Sequence, residues 1–295
     1  VEAESEDIIE AIEKCYQFGW TDGLPVVPPT VQRVQEFLDF AQISPDEVIG
    51  TFAERRLEIT TGSVASNAVM AGCLPEHFPV VLAITEAMLD PSFNLIGPSS
   101  SLGGAAILVI VNGPIVGRLG INYSNNLFGP GNRANSTIGR AVRLILINTC
   151  GTIPGLFDRT VLGHPGKFSY CIAENEKESD WTPLHVERGF SHNDSAVTVF
   201  ACEGPRQVRA TALPETTLYA AVDTISSLGT SMASAGSIED TSRLVRQGQI
   251  ALVFAGASTF WHGWSKEDIR EFVFPNVKRS VLDLKDGGVL LGEKT

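Results

Sequence analysis

Apolar positions recur along this chain with two different rhythms, and the rhythms predict its elements. In residues 5–18, Ile8, Ile9, Ile12 and Tyr16 return at helical spacing, which predicts an amphipathic helix. Residues 19–30, GWTDGLPVVPPT, interrupt that spacing with glycines and prolines and predict a stiff loop. Thr30 is placed to cap a helix running to about Phe40. Ser44-Pro45-Asp46-Glu47 has the form of another helix start, with a capping hydroxyl, a proline and two acids. Helices are predicted over 65–71 and 79–89, separated by Leu74-Pro75-Glu76-His77.

Residues 105–111, AAILVIV, form an unbroken apolar run that predicts a buried strand closed by the turn signal Asn112-Gly113-Pro114. A polar, glycine-rich loop over 122–132 precedes a strong helix over 134–149, where Ile138, Val142, Ile145 and Leu146 share a face. Beyond it come a strand at 197–202, a helix at 215–228, a strand at 250–255 and a helix at 265–273. This order predicts an α/β fold: a two-lobed single chain with mixed sheets flanked by helices. The main lobe is expected over 1–194, with a smaller α/β lobe, 195–295, packed on it. The aromatic run Phe260-Trp261-His262-Gly263-Trp264 is expected to cover a sheet end.

Composition narrows the function classes. Apolar residues make up 43% of the 295 and charged residues 19%, which suits a folded core rather than a disordered chain. A formal net charge of −12 sets a field that repels nucleic acid and anionic membranes. Five cysteines at wide spacing, with no CxxC, argue against a disulfide framework and a zinc ribbon and fit a cytoplasmic setting. The acidic segment VEAESEDIIE has the character of neither a signal nor a transit peptide, and no apolar run is long enough to span a bilayer.

Two segments concentrate chemistry. The first runs from Asn122 to Arg143 and carries Asn122, Asn125, Asn126 and Asn132 beside Gly129 and Gly131. Glycines admit a ligand close to the backbone, and the following helix presents its free N–H groups to an anion. Arg133, Ser136, Arg140 and Arg143 fall on one helical face, with Arg133 nearest the loop. Asn126, Asn132, Arg133 and Asn135 are therefore candidate substrate-binding residues, joined by Asp22 from the rigid loop. The sequence GPGNRA follows no apolar strand, so a dinucleotide site is not expected.

The second segment, GHPGKFSYCIAENEKESDWTPLHVER at 163–188, holds two histidines, a cysteine and closely spaced acids. Glu174 and Glu176 would share a face in extended backbone and could act as acid and base. Lys167 could pair with one of them or hold a substrate carboxylate, and His164 or His185 could shuttle protons. Cys171 would be a nucleophile only if its thiol were activated. A metal held by His164, Glu174 and His185 is a further alternative, although the spacing follows no known ligand pattern. The identity of any cofactor stays open at this point.

Read in order, GWTDGLPVVPPT, NAVMAGCLPEHFPVVLAI, VNGPI, FGPGNRANSTIGRAVRL, PGKFSYCIAENEKESDWTPLHVERGF, DSAVTVF and GWSKEDIREF resemble a bacterial family whose module occurs alone or joined to the UGSC-type (seleno)protein domain. The resemblance spans most of residues 19–272. That domain carries closely spaced Cys or selenocysteine residues, a cluster this chain lacks, so the resemblance implies that such thiol or selenol chemistry sits on a separate partner subunit. Together these readings predict an enzyme, a lyase or hydrolase, acting on a small anionic metabolite by acid–base chemistry at a carbon–heteroatom bond. Its catalytic residues would be Glu174, Glu176, Lys167 and His185. The alternatives are a non-catalytic subunit that docks a UGSC-type partner and a metal-dependent enzyme. A homo-oligomer is compatible with either.

Overall fold

Local capping decides where the helices of this chain begin. The computed structural model describes residues 5–209, 213–226, 250–254 and 258–286. After α1 (Ser5–Gln17), α2 (Val31–Ala41) opens at Thr30, whose hydroxyl oxygen accepts a hydrogen bond from Arg33 N at 3.3 Å. It closes at Gln42 in a left-handed conformation and buries Phe37 and Leu38. Thr60 caps α3 (Thr61–Ala71) in the same way, and α4 (Phe78–Leu89) buries Phe78, Val81 and Ile84.

Ser44-Pro45-Asp46-Glu47 does not start a helix. It forms a turn that leads into β1 (Val48–Phe52), which pairs antiparallel with β2 (Leu57–Thr60). The cause is tertiary: Thr61 N donates to Glu47 O and Gly62 N to Pro45 O, both at 2.9 Å, and the Thr61 hydroxyl donates to Ser44 O. The carbonyls that would have carried a helix are taken by the start of α3.

The apolar run becomes β3 (Ala106–Asn112), preceded by α5 (Ile96–Ser100) and followed by α6 (Ile115–Leu119). The long helix α7 (Arg133–Asn148) then carries the chain to β4 (Cys171–Ala173), which lies parallel to β3. After α8 (Leu184–Glu187), β5 (Ala196–Cys202) pairs antiparallel with the other edge of β3 along its full length. The result is a mixed three-stranded sheet of order β4-β3-β5. Helix α7 packs against β3 and β4, α4 packs against β5, and Val109, Ile138, Ile145, Ile84 and Val64 meet in one core.

The chain folds as two units, residues 1–176 with 182–205, and residues 177–181 with 206–295. The division therefore falls after residue 205, whereas the sequence rhythm places it after 194. Strand β5, expected to open the smaller lobe, completes the sheet of the first unit.

The second unit contains α9 (Pro214–Ile225), α10 (Lys266–Asn276) and α11 (Val281–Asp286). Helix α10 starts with a reciprocal capping box between Ser265 and Asp268. Leu218, Trp261 and Ile269 are buried at its centre, with Trp181, Leu252, Phe254 and Phe272 around them. Residues 250–254 are not a strand. They place Phe254 edge-on to Trp181, ring centroids 5.4 Å apart. Residue 255 of that expected strand and residues 227–228 of the expected helix lie outside the described residues. The Phe260–Trp264 aromatics pack into this core rather than over a sheet end. No helix among the described residues is long and apolar enough to cross a membrane.

Candidate active site

Strands β3 and β4 run parallel, and their carboxyl ends bring polar residues together. Ligands of open α/β sheets bind at this end, where the strands finish and the chain turns away. Strand β3 finishes at Asn112, which is fully buried. Its side-chain nitrogen donates to Glu174 Oε2 at 2.6 Å and to Glu176 Oε1 at 2.8 Å. Gly113 N donates to the same Glu176 oxygen at 2.7 Å. One amide thus fixes two carboxylates that follow the end of β4, and Leu184 N holds Glu174 Oε2 at 2.8 Å.

Gly113 has a geometric reason to be glycine. Its φ is +85°, and a Cβ there would lie 2.0 Å from Asp194 O. Only a bare backbone turns at this point while aiming its N–H at Glu176.

His185, in α8, completes the cluster. It is 1% exposed, and its Nδ1 lies 3.8 Å from Glu176 Oε1. Neither ring nitrogen has a hydrogen-bond partner, and neither does Asn112 Oδ1. Leaving a buried polar atom unpaired costs about 1–3 kcal/mol, and such groups concentrate where function demands them.

Other residues singled out from sequence are engaged elsewhere. Lys167 Nζ donates to Thr160 Oγ1 at 2.8 Å and pairs with Asp158 Oδ2 at 3.0 Å. Arg133 donates twice to Gly72 O, at 3.2 and 3.0 Å, closing the end of α3. Asn132 caps α7 through Asn135 N, and its own Nδ2 donates to Gly120 O. Asn135, buried, receives Asn122 N and donates to Asn122 O and Cys171 O. Asn126 donates to Pro130 O within its own loop. Asp22 binds Arg140 through both oxygens, each at 2.8 Å. These amides and charges satisfy backbone and tie segments together.

The amide-rich loop and the 163–188 segment do meet. Phe128, Asn135, Ser136, Phe168, Tyr170 and Cys171 are among the residues lining a cleft that opens to solvent. Glu174 and Glu176 do not line it; Glu174 lies about 10 Å further along the strand direction than Cys171. Burial, with Cys73 close by, pushes the Cys171 thiol up to about 12, so it is a neutral thiol at pH 7 rather than an activated nucleophile. His164 lies between Cys202 O and Gly166 N. No group of three or more His, Cys, Asp or Glu side chains among the described residues is placed to hold a metal ion, so His164, Glu174 and His185 are not assembled into one.

Sequence reasoning passed over Asn112 and Gly113, which read as a turn signal. The available clue was an amide ending an otherwise apolar strand. Fold and site together define an α/β protein with a carboxylate–amide–imidazole cluster at the carboxyl ends of two parallel strands. No family model, no curated protein and no solved structure matches the chain.

Proposed function

We propose that this chain is an enzyme that transfers protons on a small molecule at the Asn112–Glu174–Glu176–His185 cluster. One observation carries the reading. Glu176 Oε1 is held by two N–H donors, no described residue donates to Oε2, and the side chain remains 23% exposed. One oxygen is fixed and the other is left for a substrate, which is the arrangement a general base needs.

In this reading Glu176 takes a proton from the substrate or from an attacking water. His185, fully covered, acts through Glu176 rather than touching substrate. Glu174 is the second member of the acid–base pair and returns a proton to the departing heteroatom, as a lyase or hydrolase requires. The cations named for an anionic substrate are engaged at Gly72 and Asp158, so the reading keeps the acid–base chemistry and does not require the substrate to be an anion.

The test is to incubate the purified chain with a pool of small metabolites and follow by NMR which compound is consumed. Glu176→Gln retains the contacts to Asn112 and Gly113 but removes the base, and it should slow turnover by about 10²-fold or more while the circular dichroism spectrum stays unchanged. Wild-type rates in both Glu176→Gln and Glu174→Gln would end the proposal.

A second reading, a non-catalytic subunit docking a thiol- or selenol-bearing UGSC-type partner, has one observation in its favour. Leu102, Val161 and Leu162 are 64, 81 and 95% exposed on two loops joined by the Val161 N–Leu102 O bond. It predicts no turnover by the chain alone and co-elution with that partner in size exclusion.

A further inference from the structure

The cleft between the amide-rich loop and the 165–171 segment is lined by none of the glutamate cluster and is a second place where a ligand fits. It offers about 190 Å³ of space. A cavity of about 150 Å³ holds a benzene ring.

Both walls are fixed by the protein itself. On one side Asn126 lies in the left-handed region at φ +57°, and its Nδ2 donates to Pro130 O at 2.8 Å. Gly129 N donates to Asn126 O at 2.9 Å, so Leu127 and Phe128 sit on a closed turn. On the other side Ser169 Oγ donates to Ser136 O at 3.0 Å and ties the 165–170 segment to α7. Walls ordered in advance spare a ligand the entropy of arranging them.

Three aromatic rings belong to the lining. Tyr170 is buried, its hydroxyl donates to Glu203 O at 3.2 Å, and its ring centroid lies 5.6 Å from that of Phe128. Its hydroxyl is spent, so its ring is what it adds to the cleft. Phe128 and Phe168 are 41 and 49% exposed, which leaves apolar ring surface for a ligand to cover. No Asp, Glu, Lys or Arg is among the lining residues. The Asn135 amide is satisfied by Asn122 and Cys171, and Ser169 by α7. Ser136 Oγ, in contrast, has no hydrogen-bond partner among the described residues. It brings one donor and two acceptor positions to an otherwise aromatic site.

We infer that this cleft binds a neutral, single-ring aromatic compound with one hydrogen-bonding substituent, of the phenol class. The ring lies against Phe128, Phe168 and Tyr170, and its substituent pairs with Ser136 Oγ. A carboxylate finds no cation here. A saturated ring of the same size lacks the polarised edge and face that aromatic neighbours favour. The space takes one ring and is too small for a nucleotide.

The experiment is a calorimetric and saturation-transfer NMR titration of the full chain with phenol, with cyclohexanol and benzoate as comparisons at matched ionic strength. Wild type should bind phenol saturably and about tenfold more tightly than either comparison. Ser136→Leu fills the cleft from a half-buried position on α7 and should abolish binding. Phe168→Ala removes one ring from the wall and should weaken phenol about tenfold. Absence of saturable binding by wild type, equal affinity for cyclohexanol or benzoate, or wild-type affinity in Ser136→Leu would each overturn the assignment. If Ser136→Leu fails to fold, Phe168→Ala decides, because its side chain is half exposed; unchanged phenol affinity there overturns the assignment as well.

Discussion

Replacing Asn112 with aspartate changes one atom of a buried side chain and inverts its role. In wild type the side-chain nitrogen donates at 2.6 and 2.8 Å to two carboxylates. Hydrogen bonds to charged groups contribute about 1.5–3 kcal/mol each. In Asn112→Asp both are lost, and a third acid faces Glu174 and Glu176 in a site where Asn112 has no exposed surface. At pH 8 the variant should be about 4–6 kcal/mol less stable, a large share of the roughly 5–15 kcal/mol available to a domain. At pH 5 the introduced carboxyl keeps its proton and donates to one glutamate, recovering about 2 kcal/mol. The direction follows from linkage. The neighbouring carboxylates raise the introduced group's folded pKa above its unfolded value of about 3.9, so its contribution is intact below that value and lost as pH rises through the folded pKa. Chemical denaturation at both pH values, followed by circular dichroism and by hydrogen exchange of β3 amides, measures the effect. A variant as stable as wild type at pH 8, or one with no greater pH dependence, would mean that the oxygen of Asn112, not its nitrogen, faces the glutamates, and the site geometry would fall.

Gly113→Ala should destabilise the first unit by more than about 3 kcal/mol, because the added Cβ meets Asp194 O at 2.0 Å on a backbone with φ +85°; a melting temperature equal to wild type would contradict this. Asp158 is pushed up by burial but pulled down further by hydrogen bonds from Thr160 and Lys167, so its carboxyl titrates below the ordinary 3.8. Its stabilisation is complete above that value and disappears as pH falls through the folded pKa, so Asp158→Asn should cost about 3 kcal/mol at pH 7 and flatten the acid limb of a pH–stability curve. Burial, reinforced by Arg133, holds the His77 imidazole below its ordinary 6.5, and its Nδ1 accepts Leu74 N at 3.3 Å. Stability from neutral His77 is therefore full above pH 6.5 and lost as pH falls through the folded pKa; thermal melts should show a smaller acid-side decline in His77→Gln than in wild type.

The helices were legible in the sequence because their signals are local. Thr30 before α2, Asn132 before α7 and Ser265 before α10 each bond the backbone three residues on, so cap and periodicity agree within one turn. The β1–β2 hairpin was hidden because Ser44–Glu47 satisfies every local rule for a helix start while α3 claims its carbonyls. Residues 250–254 carry the composition of a strand, but Leu252 and Phe254 find an aromatic core instead of a ladder. At the site, the spacing of Glu174 and Glu176 was visible, whereas their organiser was not. Asn112 lies 62 positions from Glu174, and nothing near it in sequence distinguishes a turn-forming amide from one that clamps two acids. The loop asparagines gave the opposite difficulty: amides that pair with their own backbone and amides that bind a ligand look identical as residue types.

The cations of α7 account for the electrostatic division of the first unit. Arg133, Arg140 and Arg143 follow helical spacing and suggest a single positive stripe. Each is directed to a different segment: Arg133 to the end of α3, Arg140 to Asp22 in the rigid loop, and Arg143 to Asp158. Three anchors on one helix tie it to the end of α3, to the rigid loop and to Asp158, and they engage its guanidinium groups away from the carboxyl ends of β3 and β4. That end keeps two glutamates, an amide and an imidazole. The amino end of β3 keeps the surplus positive charge beside Asp158. A reaction that depends on a carboxylate base, as proposed above, therefore has its place at the carboxyl ends of β3 and β4.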